Sequence, residues 1–68
     1  MISPPRIDWT AEKVGQLRYQ MGMTQAKFAE ALGVSKAAVQ EWEYKHDPIK
    51  GTAARLLDYV ADSVGFRV

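Results

Sequence analysis

The chain is predicted to fold as an all-α domain, a compact bundle of four to five short helices, and three observations point there. Apolar residues recur at three- and four-residue intervals through most of the chain, the spacing that gathers them on one face of a helix. Hydroxyl residues stand just ahead of these apolar runs and glycines just behind them, which are the signals for helix starts and stops. With 68 residues, no cysteine and no internal repeat, the chain has material for one packed core and no disulfide to staple it.

The first nine residues, 1–9, carry Pro4 and Pro5 without periodicity and read as an extended arm. Thr10 is expected to cap the free amides of a first helix over residues 10–21, with Trp9 and Val14 at the two positions of a hydrophobic staple. Val14, Leu17 and Met21 share one face, and Gly22 supplies a left-handed stop. Gly15 inside this helix costs about 1 kcal/mol relative to alanine. The same grammar repeats in Met23-Thr24 leading to Phe28 and in Val34-Ser35 leading to Val39. A second helix over 24–32 therefore buries Phe28, Ala29 and Leu32 and stops at Gly33, and a third over 36–44 offers Val39 and Trp42 to the core. The short turn between them forces a sharp crossing, with the small Ala29 where the two helices approach most closely. Tyr44 to Gly51 is a polar loop with Pro48 in it and Ile49 as its anchor. Thr52 is expected to cap a fourth helix whose apolar face is Ala53, Leu56, Leu57, Val60, Ala61 and Val64, ending at Gly65. The domain thus spans 10–65, and 66–68 is a tail in which Phe66 and Val68 have no evident home within the chain.

Composition removes several function classes. At 47% hydrophobic and 25% charged the chain is too apolar for disorder, and no stretch approaches the ~18 apolar residues of a membrane span. The N-terminus has no apolar segment behind Arg6, so a cytoplasmic protein is expected. A single histidine, His46, and no cysteine leave no zinc constellation, and neither metal nor cofactor is expected. No catalytic residue is assigned: Ser35 is better explained as a cap, and Glu41 and Glu43, two apart, do not face each other on a helix. The net charge of +1 says little, because a basic face can be balanced by acids elsewhere.

Two short helices joined by a tight glycine-containing turn are the geometry that lays one helix into the DNA major groove. The run Leu17-Arg18-Tyr19-Gln20-Met21-Gly22-Met23-Thr24-Gln25-Ala26-Lys27-Phe28-Ala29-Glu30-Ala31-Leu32-Gly33-Val34-Ser35, followed by Val39 and Trp42-Glu43, closely resembles the phage repressor and Cro-like (Xre) helix-turn-helix family. The stretch Pro48 to Leu57 has a weaker resemblance to small antitoxin-type regulators of the HigA and MqsA group. The first resemblance implies a lambda-repressor-like fold and binding to double-stranded DNA.

Residue roles follow from chemistry and resemblance together. Gln25, in the first turn of the second helix, can donate to a phosphate beside free backbone amides, and the resemblance gives Thr24 and Gln25 this task. Lys27, Ser35, Lys45 and Lys50 are expected at further phosphates. Lys36, Ala37, Ala38, Gln40 and Glu41 fall where the family reads bases. Lys36 suits guanine, Gln40 adenine or a phosphate, Glu41 the amino group of cytosine, and the two alanines admit close approach to a thymine methyl. The plain alternative for this face is a solvated helix surface. The resemblance further implies that Arg18 and Glu43 pair as a structural tie. Tyr44 and Lys45 stand where the family commonly has a residue and then glycine, so the following turn stays open, with His46 or Asp47 as candidates for a left-handed residue.

The function expected is that of a small transcriptional repressor working as a homodimer, since one recognition helix reads few base pairs. Helix four with Phe66 and Val68 is the expected dimer surface, and Arg6 is a candidate for a minor-groove arm. The competing reading is an interaction module that captures a toxin or other protein through Trp9, the Pro4-Pro5-Arg6 arm, Phe66 and Val68.

Overall fold

Three hydroxyl side chains accept hydrogen bonds from backbone amides three residues ahead, and each opens a helix. In the computed structural model, which describes residues 7–45 and 47–66, the Thr10 hydroxyl accepts from the Lys13 amide at 3.3 Å, Thr24 from Lys27 at 3.2 Å and Ser35 from Ala38 at 3.1 Å. The elements are α1 (Ala11–Gln20), α2 (Gln25–Leu32), α3 (Lys36–Tyr44) and α4 (Gly51–Ser63), with no strand and no fifth helix among the described residues.

Three of these helices also end alike. The Gly33 amide donates to Glu30 O and the Val34 amide to Ala29 O, and the same pair of bonds recurs at Gly22-Met23 and at Gly65-Phe66. Each glycine takes a φ between 66° and 73°. This is the Schellman ending, in which the residue after the glycine turns back against the last helical turn. Met23 and Val34 therefore close one helix and staple the next.

The third such ending overturns the expectation of a free tail. Phe66 is 9% exposed and its ring stacks on Trp9, with centroids 5.9 Å apart and planes 20° apart. Trp9 itself is 1% exposed, and its carbonyl accepts from the Ile49 amide at 3.0 Å. The end of the expected arm, the loop anchor and the C-terminal segment thus meet in one place. Phe66 is core and is withdrawn from the dimer surface, while Arg6 and Val68 lie outside the described residues. With Trp9 and Phe66 both buried, the surface envisaged for capturing a protein partner loses its two large aromatics.

Helix α4 begins earlier than expected. Its N-cap is Lys50, which makes no side-chain capping bond, and Gly51 enters with φ 70°. Thr52 is exposed in the first turn instead of capping it. The buried stripe is accordingly Ala54, Leu57 and Ala61; Leu56 and Val60 pack at its edge, and Val64 is exposed. The left-handed residue of the loop is Gly51, whereas Lys45 is extended and Asp47 has no positive φ; His46 lies outside the described residues.

Candidate nucleic-acid interface

The third helix is held by its inner side. Val39 is fully buried and Trp42 packs against the core beside it, so the opposite side of α3 is committed to solvent. Lys36, Ala37, Gln40 and Glu41 are exposed there, and Ala38 is half-buried. Ala29, 3% exposed, sits at the turn side of α2, whose carbonyl receives the Val34 amide at 3.0 Å. A small side chain there lets α2 and α3 approach closely, and the Ser35 cap fixes where α3 starts.

The orientation of α3 is locked from α1. Arg18 donates from Nε to Glu43 Oε2 at 2.8 Å and from Nη2 to Oε1 at 2.9 Å, a two-pronged match of guanidinium to carboxylate, and from Nη1 to the Met23 carbonyl at 3.0 Å. One side chain thereby ties α1, the α1–α2 turn and the end of α3. The hydrogen bond to Glu43 raises the Arg18 pKa, partial burial opposes it, and the charge attraction adds to the rise. All three donors of Arg18 that take part are spent on Glu43 and Met23, which accounts for both charged side chains as a structural contact.

Gln25, at the start of α2, looks across an open hollow of about 650 Å3 toward Gln40, Glu41, Glu43, Tyr44 and Lys45. Thr24, with its hydroxyl taken by the Lys27 amide, places this helix start at the rim. Lys27, Lys36 and Lys50 are also exposed. Lys45 differs from them: its Nζ donates to Glu41 Oε1 at 2.8 Å, one turn away on the same helix. The hydrogen bond, then the charge attraction, hold the Glu41 carboxyl below and the Lys45 ammonium above their usual values, with Asp47 adding to the latter. Glu41 and Lys45, expected separately at a base and a phosphate, are thus brought together as a pair. Their i,i+4 spacing is a signal for such pairing.

The sequence model of the helix-turn-helix family matches residues 14–58, which include the whole α2–turn–α3 unit and both ends of the Arg18–Glu43 tie. The chain belongs to the Xre/lambda-repressor-like helix-turn-helix family. Comparison with curated proteins and with solved structures gave no match. Helix-turn-helix domains of this family are DNA-binding regulatory domains, and the match supports binding of double-stranded DNA by this chain. α2 and α3, joined through Gly33, Val34 and Ser35, are the two helices of the unit. The match stops short of Trp9 and Phe66, so the closure they make is built by residues beyond the matched segment. Among the described residues there is no group of carboxylates or imidazoles fit for a metal, and no helix is long and apolar enough to cross a membrane.

Proposed function

We propose that this protein is a sequence-specific transcriptional repressor or autoregulator that inserts α3 into the major groove of its operator. The observation that carries this reading is the division of α3 into a locked inner side and an exposed outer side next to the start of α2. Lys36, Ala37, Ala38, Gln40 and Glu41 then meet base edges. Thr24, Gln25, Lys27, Ser35, Lys45 and Lys50 meet phosphates, with the amides at the start of α2 adding their partial positive charge. A homodimer placing two recognition helices on half-sites one helical turn apart supplies the needed specificity. With Phe66 in the core, the outward side of α4, where Tyr59 is 74% exposed, is the surface left for pairing.

The test is in vitro selection from a random duplex library at moderate salt, where phosphate binding alone does not mask preference. Enrichment of an inverted repeat with one-turn spacing is the expected result. A folded protein that enriches nothing would overturn the reading and favour capture of a protein partner.

A further inference from the structure

The outward side of α3 holds one feature that a phosphate-binding surface does not call for, a carboxylate. Glu41 sits beside Gln40 on the hollow facing Gln25, and a carboxylate at that place repels the DNA backbone. The ammonium that offsets it is Lys45, bound at 2.8 Å through Oε1 alone, and Oε2 has no partner among the described residues. Lys36, at the start of the same helix, has no carboxylate partner among the described residues.

We propose that the Glu41–Lys45 pair makes α3 selective for a cytosine, keeping Lys45 from phosphate until Glu41 receives the amino group of that base. The inference rests on α3 lying in the major groove. On an arbitrary duplex, moving Lys45 to a phosphate leaves Glu41 as an uncompensated negative charge close to other negative charges, so the exchange is unfavourable and the pair stays closed. Opposite a cytosine, the N4 amino group donates to the carboxylate and replaces the ammonium. Lys45 is then released to a phosphate while Glu41, still charged, keeps a hydrogen-bond donor in the ammonium's place. Both side chains are 59% exposed, and an exposed pair of this kind is held weakly enough for the exchange to be available. The pair thus lowers affinity for all DNA and restores it at one base pair, which is discrimination by an unfavourable contact as much as by a favourable one.

The experiment compares the full chain, Glu41→Gln and Lys45→Met on the selected duplex, on that duplex with each cytosine replaced in turn, and on a random duplex, over a range of salt. Thermal melting verifies that both variants fold. Glu41→Gln is expected to bind the random duplex severalfold more tightly, with a salt dependence steeper by about one phosphate contact. At one position, replacing cytosine should weaken the parent about tenfold and leave Glu41→Gln unchanged. Lys45→Met should lose affinity on both duplexes, with a shallower salt dependence on the selected one. Glu41→Gln with an unaltered cytosine preference, or with equal changes on both duplexes, overturns the proposal while leaving groove binding intact. A parent protein that selects no site overturns both.

Discussion

Removing the Glu43 carboxylate would leave Arg18 with only the Met23 carbonyl among the described residues, in a site where the two side chains are 25% and 14% exposed. Glu43→Ala is therefore expected to lower stability by about 2–3 kcal/mol, between the values for exposed and buried pairs, read as a shift in the urea midpoint. Glu43→Gln, which keeps one neutral acceptor, should lose less; equal losses would mean that the charge is irrelevant to the tie. Glu41 offers a titration. Because its folded pKa lies below the unfolded one, the pair's contribution is present above the unfolded carboxylate range and is lost as pH falls through the lowered value. On the alkaline side the raised Lys45 pKa preserves the pair until that ammonium deprotonates. The carboxyl carbon of Glu41 should titrate below the ordinary carboxylate range in the parent and move upward in Lys45→Met. Identical midpoints in the two proteins would show that the pair does not form in solution.

Helix ends, more than helix interiors, shape this protein. A Cβ at Gly33 would meet nothing within 4 Å, yet its φ of 73° is one that other residues adopt only with strain. Gly33→Ala should therefore cost about 1–2 kcal/mol through the backbone alone. Gly15 is the opposite case. It lies inside α1 with ordinary backbone, and an added Cβ would stand 3.8 Å from Glu43 Oε1, an ordinary contact. Gly15→Ala is expected to stabilise by about 0.5–1 kcal/mol, measured by denaturant unfolding, and a loss would mean that the methyl disturbs the Arg18–Glu43 tie. The caps at Thr10, Thr24 and Ser35 were legible because each is a bond between neighbours in sequence. Gly65-Phe66 repeats the pattern of Gly22-Met23 and Gly33-Val34, a glycine followed by an apolar residue that folds back. That repetition is the signal by which the burial of Phe66 could have been read.

The core is closed where the first and last described segments meet. Trp9 and Phe66 stack, Ile49 bonds to the Trp9 backbone, and Ala54, Leu57 and Ala61 complete the same core. Phe66→Ala is expected to cost about 3–4 kcal/mol, because the cavity would open against a fully buried indole. Sedimentation of that variant should match the parent at temperatures where both are folded. A shift in association state with unchanged melting would return Phe66 to a subunit interface.

The four helices, the hydroxyl starts of the first three and the helix-turn-helix unit were determined by the sequence alone, because caps, staples and glycine stops act between residues only a few positions apart. The outward residues of α3 followed from the same periodicity once Val39 and Trp42 were set inward. Tertiary structure decided what depends on the direction of the chain. Entry into α4 at Gly51 instead of Thr52 turned a different stripe inward, so Ala54 took a core place that the spacing had assigned to Ala53. It also decided the meeting of Trp9 with Phe66, since Gly65 marks locally only that Phe66 folds back, and which distant side chain it meets is selected by packing.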